Sequence, residues 1–193
     1  TCLILITPDS ERTMCTFLGI AGQIDNNDID ANAIQNAEIT FLEGYLWDEG
    51  GPTKAFEKAL SAAKKSAMSL SDPFCVDRHK DSFLNLVKNK LDIIFANEKE
   101  AMSLIDAKNF DEVIEFGKSL NKLFIVTRSD KGSIAIKGGD IFEAQAKSNL
   151  KIVDLTGAGD LFAAGFLHGY LNDYSHIDCL NKGRELSSKI IQQ

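Results

Sequence analysis

Apolar residues along this chain recur at two spacings, and the switches between them predict its elements. At the start, "CLILIT" and "RTMCTFLG" are short β-like runs separated by the turn formers Pro8-Asp9-Ser10-Glu11, which predicts a hairpin. Strand and helix patterns then alternate. Strand-like "ITFLEGYL" (39–46) is followed by "TKAFEKALSAAKKSAMS" (53–69), with apolar residues at helical spacing. "SLSDPF" predicts a short strand stopped by Pro73, and "DSFLNLVKN" (81–89) a helix. "DIIFANE" (92–98) is a third strand, followed by helical "EAMSLI" and "FDEVIEFGKSL", and "KLFIVTRS" (122–129) is a fourth. "GSIAIKGGDIFEAQA" predicts two strands joined around Gly138-Gly139-Asp140, and from Ala158 onward two helices split near 172–175.

Four rounds of strand and helix predict a parallel sheet with helices on both faces. The early hairpin stands outside that alternation and reads as a lid or small second sheet. In such sheets ligands sit beyond the C-terminal ends of the strands. That edge carries Glu43-Gly44, Asp72-Pro73, Asn97-Glu98, Thr127-Arg128-Ser129 and the loop 156–160, so polar residues follow apolar runs at every one of these places.

Composition narrows the function classes. The 193 residues are 44% hydrophobic and 25% charged, ordinary for a globular protein, and suit one domain or one domain with an appendage. No run approaches the about 18 uninterrupted apolar residues of a membrane span, and the first residues lack the basic region and cleavage site of a signal peptide. A net charge of −7 argues against nucleic acid, which needs a basic face. Cys2, Cys15, Cys75 and Cys179 are far apart, which disfavours metal knuckles and disulfide frameworks and fits reduced thiols in a cytoplasm. His79, His168 and His176 are scattered and read as structural.

The chemistry concentrates in "DLTGAGD" (154–160), where a strand-like segment hands over to the helix "LFAAGFLHGYL". A helix N-terminus has amides without intrahelical partners and a positive dipole end. Behind Gly157, Ala158 and Gly159 an anion can approach those amides closely, and Asp160 brings a carboxylate to the same turn. By itself a G-x-G-D also fits a tight turn with an acid on the dipole. A carboxylate beside an anion hole makes sense where a hydroxyl attacks a phosphoryl group, the acid accepting its proton while the amides hold the transferring charge. Such a base serves even with a low pKa, because proton removal in phosphoryl transfer can come late. The chain contains no G-x-x-x-x-G-K-[ST], and no G-x-G-x-x-G after an early strand.

"DLTGAGDLFAAGFL" resembles the second signature of the ribokinase/PfkB carbohydrate-kinase family, usually D-T-T-G-A-G-D before a small-residue helix. "ANEKEA" is similar to the family's N-x-x-E, at Asn97 to Glu100, and "VTRSDKGS" (126–133) to its V-T-x-G-x-x-G. "EGYLWD" (43–48) and "SDPFCVDRH" (71–79) resemble the adenosine-kinase-like bacterial branch. The resemblance implies a three-layer α/β ribokinase-like fold with a mostly parallel central sheet and a small β lid, the lid and first strands being largely missing. It implies a lid remnant over 1–20 and the nucleotide-binding and catalytic part over 21–193.

The function so implied is an ATP-dependent kinase that transfers the γ-phosphate to a hydroxymethyl group of a sugar or nucleoside, with Mg²⁺. A hydroxymethylpyrimidine- or pyridoxal-type kinase of the same superfamily and a non-catalytic nucleotide-binding module stay open as alternatives. By the same resemblance Asp160 is the base, Gly157, Ala158 and Gly159 form the anion hole, and Glu100 organises Mg²⁺ through water. Asn97, Thr127, Ser129 and Gly132 contact the nucleotide, Asn181 matches an adenine-pocket asparagine, and Asp154 belongs to a monovalent-cation loop, with K⁺ its candidate. A homodimer through the lid is left open; neither nucleic acid nor membrane is implied.

Three departures stand out. Leu155 replaces the usual Thr, and Ser129 stands where Gly is common. The family's first signature, the Gly-Gly and Asn-containing region that grips the acceptor, is absent, and the chain opens on Thr1 without an initiator Met. Further sequence upstream of Thr1 is therefore expected.

Overall fold

The computed structural model describes residues 1–8, 12–47 and 50–193; Asp9, Ser10 and Glu11 of the expected hairpin turn, and Asp48 of "EGYLWD", lie outside the described residues. The chain forms two compact units, one of Thr1–Leu18, Thr127–Ala135 and Phe142–Gln193, the other of Gly19–Val126 and Ile136–Ile141.

In the first unit, strands β1 (Cys2–Ile6) and β2 (Arg12–Thr16) pair antiparallel from Cys2 opposite Thr16 to Ile6 opposite Arg12. They form a two-stranded sheet of their own, exposed at every position.

In the second unit, helix α1 (Ala31–Asn36) leads into β3 (Thr40–Glu43), α2 (Gly51–Ala62) and β4 (Ser66–Ser69). Then come α3 (Pro73–Arg78), α4 (Lys80–Asn89), β5 (Ile93–Asn97), α5 (Glu98–Leu104), α6 (Phe110–Ser119) and β6 (Leu123–Thr127). A hairpin of β7 (Ser133–Lys137) and β8 (Asp140–Ala144), whose residues are divided between the two units, turns at Gly138 and Gly139, whose φ of 59° and 94° suit the tight two-residue turn between twisted strands.

The six strands lie in the order β3-β4-β5-β6-β7-β8. The β3–β4 and β4–β5 pairs are parallel. At the start of β6 the Leu123 amide donates to Asp92 O, at the start of β5, as parallel alignment requires. The short links flanking β7 dictate antiparallel pairing there, since a parallel neighbour needs a crossover. The sheet is thus mostly parallel, with helical crossovers through β6.

β4 corrects the sequence reading. The helix expected over 53–69 ends at Ala62, and the strand expected at 69–74 lies earlier, at Ser66–Ser69. Ala67 and Met68 point to opposite faces and are both fully buried, so this strand is covered on both sides. Asp92 pins its start: one carboxylate oxygen accepts from the Ser66 amide at 2.8 Å and hydroxyl at 3.1 Å. Pro73 does not stop a strand; it opens α3 behind Asp72, whose carboxylate accepts from the Cys75 amide. β3 is shorter than the 39–46 pattern, because residues 44–46 turn into a 3₁₀ helix. Helix α1 has no counterpart in the hydrophobic pattern and stands on its Asp30 cap.

The first unit continues with α7 (Ala158–Leu171) and α8 (His176–Ile190), the latter capped by Ser175. Their packing is set by glycine. A Cβ on Gly165 would lie 2.7 Å from Lys182 O, and one on Gly183 would lie 2.8 Å from Phe162 O. Backbone carbonyls cannot yield as side chains do, so the helices approach this closely only without those methyls. Gly165→Ala should therefore cost about 1–3 kcal/mol of stability by overpacking, despite alanine's better helix propensity. At Gly159 a Cβ meets nothing within 4 Å, and Gly159→Ala should change stability by less than about 1 kcal/mol. Urea unfolding of both variants checks the pair; equal effects would refute the packing role.

Candidate functional site

The loop before α7 is shaped by its own polar groups. Asp154 Oδ1 accepts from both the amide and the hydroxyl of Thr156 at 2.8 Å, folding the backbone back on itself. These two bonds, with Arg12 a smaller influence, hold the Asp154 carboxyl below the usual carboxylate range. The C-terminus braces the same loop, the Val153 amide donating to Ile191 O at 2.8 Å.

Gly157 is the N-cap of α7 in the left-handed region (φ 78°), where an L side chain is disfavoured, and it offers no side-chain cap. The Ala158 amide donates to Leu155 O and the Leu161 amide to Gly157 O. Between them, the amides of Gly159 and Asp160 have no partner among the described residues. Both residues are exposed, and the space above Gly159 is open. A fourteen-residue helix thus presents free amides and its positive end to solvent, with the Asp160 carboxylate in the first turn.

The same unit holds a cavity of about 560 Å³ that reaches Ala158 and Gly159. One side is the β6–β7 connection, with Thr127, Ser129 and Gly132; another is α8, with Arg184, Ser187 and Ser188. Gly132 is indispensable to the connection: at φ 87° it comes so close to β8 that a Cβ would clash with Ala144 O at 2.2 Å. Ser129 sits at φ 54°, a conformation glycine adopts freely and serine bears with strain. The cavity suits a nucleotide in size and lining, mostly apolar walls with a few polar groups.

The second unit gathers carboxylates at the C-terminal ends of β3, β4 and β5. Asn97 ends β5 and caps α5 in a reciprocal box: Asn97 Oδ1 accepts from the Glu100 amide, and Glu100 Oε2 from the Asn97 amide, each at 2.9 Å. Asn97 Nδ2 donates to the other Glu100 oxygen at 2.5 Å. Glu100 is 4% exposed, and burial pushes its carboxyl up to about 7. The charges of Asp72 and Glu43 add to that rise, and the Asn97 bonds oppose it.

The expected site residues therefore divide. Thr127, Ser129, Gly132, Ala158 and Gly159 line one cavity, with Gly157 and Asp160 flanking the last two, while Asn97 and Glu100 meet in the other unit. Asn181 lines a separate open cleft with Tyr174 and Lys182. Arg184, Ser187 and Ser188 were not anticipated; nothing local in "GRELSSK" marks them, and α8 brings them in. Among the described residues no three His, Cys, Asp or Glu side chains are grouped to hold a metal ion directly. The single Glu100 carboxylate in its Asn97 box is compatible with Mg²⁺ held through water, since that ion keeps several waters and is commonly held by one or two carboxylates and substrate phosphates. No helix among the described residues is long and apolar enough to cross a membrane.

Known proteins share this fold. An adenosine kinase structure from Sinorhizobium meliloti superposes with a TM-score of 0.95 at 36% identity, covering 100% of this chain and 60% of that one. A structure described as a probable sugar kinase from Rhizobium etli gives 0.95 at 37% identity with the same coverage. The Dictyostelium discoideum adenosine kinase is 26% identical over 212 residues, covering 100% of this chain and 62% of its own length. The chain thus spans about three-fifths of the length of these relatives. The pfkB family carbohydrate kinase pattern matches residues 1–193, from one end of the chain to the other, and the chain belongs to that family.

Proposed function

We propose that this chain forms the ATP-handling part of a kinase that transfers the γ-phosphate to a hydroxymethyl group of a sugar or nucleoside. The observation that carries the reading is the uncapped N-terminus of α7, with free amides at Gly159 and Asp160 beside a nucleotide-sized cavity. Relatives named as sugar and adenosine kinases at equal structural similarity support the acceptor class without choosing within it.

In this reading the attacking alcohol donates its proton to Asp160 as the O–P bond forms, and the amides of Gly159 and Asp160 hold the charge on the transferring phosphoryl group. Thr127, Ser129 and Gly132 border the nucleotide, with Arg184, Ser187 and Ser188 opposite; Asn181 serves the purine end. Bound Mg²⁺ would neutralise phosphate charge, held through water by Glu100 in the Asn97 box. K⁺ at the Asp154 loop belongs to the same proposal, Oδ1 being committed to Thr156 and Oδ2 left for a cation. So do a lid role for residues 1–20, homodimerisation through the exposed β1–β2 sheet, and a cytoplasmic setting. Incubation of the full-length protein with ATP, Mg²⁺ and adenosine, ribose or fructose, followed by detection of the phosphorylated alcohol, tests the whole. ATP binding without turnover on any alcohol would leave only a nucleotide-binding module.

Asp160→Asn keeps the shape and removes the base. Turnover should fall by about 10²–10⁴-fold, the scale of positioned acid–base catalysis, with ATP affinity little changed. Near-normal turnover would exclude Asp160 as the base.

Glu100→Gln should raise the Mg²⁺ concentration for half-maximal rate more than the acceptor KM. An unchanged Mg²⁺ dependence would sink the metal role.

The buried carboxyl also makes a prediction for metal-free protein. Glu100 is raised from 4.5 to about 7 by folding. The folded state therefore holds a proton that the unfolded chain releases, and stability is lost as pH rises across that window and is level above it. The difference amounts to about 3 kcal/mol. Unfolding midpoints at pH 5 and pH 8 should show this loss in the wild type and not in Glu100→Gln; parallel pH profiles would contradict it.

A further inference from the structure

The cavity beside the α7 amides has mostly apolar walls, yet one arginine is set into them. Arg184 is half-buried on the α8 side, while the other charged residues of the lining, Asp130 and Lys147, are exposed. Its Nη1 donates to Gln145 O at 2.9 Å, in the segment after β8 that lines the same cavity, which tethers the guanidinium at the lining. All of these residues belong to the first unit. A guanidinium carries five N–H donors and no acceptor, and this bond uses one. Among the described residues no carboxylate pairs with Arg184; the adjacent Glu185 is taken by Lys182 at 3.0 Å and Lys189 at 2.6 Å. A fork with its donors unspent at an apolar-walled cavity suits a ligand edge made of acceptors.

Its place along α8 decides which part of a nucleotide it meets. Helices α7 and α8 run antiparallel in contact: a Cβ on Gly157 would lie 3.9 Å from Ile190 Cγ1, and one on Gly183 would lie 2.8 Å from Phe162 O. Ile190 therefore stands beside the start of α7, and Arg184 lies six residues back along α8. At the helical rise that is about 9 Å along the axis. A terminal phosphate at the free amides thus leaves the base, rather than the phosphates, toward Arg184. Purine edges differ in what they offer there. Guanine presents two acceptors, O6 and N7, which one guanidinium fork takes together; adenine keeps N7 but carries an amino donor at N6, which a donor-only group opposes.

Resting on the nucleotide reading of this cavity, we propose that Arg184 chooses the base of the phosphoryl donor, favouring a purine with a carbonyl at position 6, guanine or hypoxanthine, over adenine. ATP is then the weaker donor of the set.

Calorimetric titration of the full-length protein with GTP, inosine triphosphate and ATP, each with Mg²⁺, tests it. GTP and inosine triphosphate should both bind about five- to a hundred-fold tighter than ATP, the range of one bidentate pair. Inosine triphosphate lacks the 2-amino group, so its tight binding assigns the preference to the O6 and N7 edge. Arg184→Met keeps an apolar stem and removes every donor; it should bring the three affinities together by weakening the two 6-oxo nucleotides. Arg184→Lys keeps the charge without the fork and should lose most of the preference as well. A merely structural clasp on Gln145 O would weaken all three nucleotides by one factor in Arg184→Met, and that outcome overturns the proposal. So does ATP binding as tightly as GTP to the wild type, a preference for GTP that inosine triphosphate does not share, or a preference that survives in Arg184→Met. If none of the three binds, the nucleotide reading of the cavity falls and this inference with it; binding without a base preference overturns the inference alone.

Discussion

Every α-helix begins with amides that the helix itself cannot satisfy, and how each is satisfied organises this molecule. Asp30, Asp72, Asn97, Asn109 and Ser175 close the starts of α1, α3, α5, α6 and α8 with side-chain oxygens. Helix α7 differs. Its N-cap is Gly157, a left-handed residue with no side chain to fold back, and the Gly159 and Asp160 amides are left for something else. The loop that leads there is held by Asp154, Thr156 and Ile191, so its openness is built rather than slack. A capping serine or aspartate at 157 would satisfy one of these amides and steady the helix.

The acidic edge in the other unit meets the opposite problem. Removing a carboxylate from water disfavours its charge, and like charges nearby disfavour it further. Glu100 suffers both, and the Asn97 box offsets them only in part. Tyr45, drawn toward Ser71 and Asp72, has its hydroxyl proton bound more firmly than usual by the same burial and charges.

Where local pattern and tertiary burial conflicted, burial prevailed. The stretch 63–69 reads as helix because Ala, Lys and Met favour helices and the apolar spacing continues. Ala67 and Met68 nevertheless form a strand, since both faces of β4 are covered and its partners β3 and β5 supply the backbone bonds. Similarly "EGYL" looks extended, but Gly44 lies so close to the Leu70–Ser71 backbone that the chain turns there. The hairpin at Gly138-Gly139 was legible because turns are short-range.

From the sequence alone came the strand–helix alternation, the loop 154–160 with its glycines and acid, and the N-x-x-E spacing. Each is decided by residues within a few positions of one another, through backbone φ, helix period and capping geometry. The tertiary structure alone decided the rest. It set Arg184, Ser187 and Ser188 of α8 on the cavity that Thr127 and Gly159 also line. It drove Glu100 out of water, and it laid the Ser71 hydroxyl against Glu43. Those facts depend on which distant segments pack together, and burial and long-range hydrogen bonds leave no mark at the positions they affect.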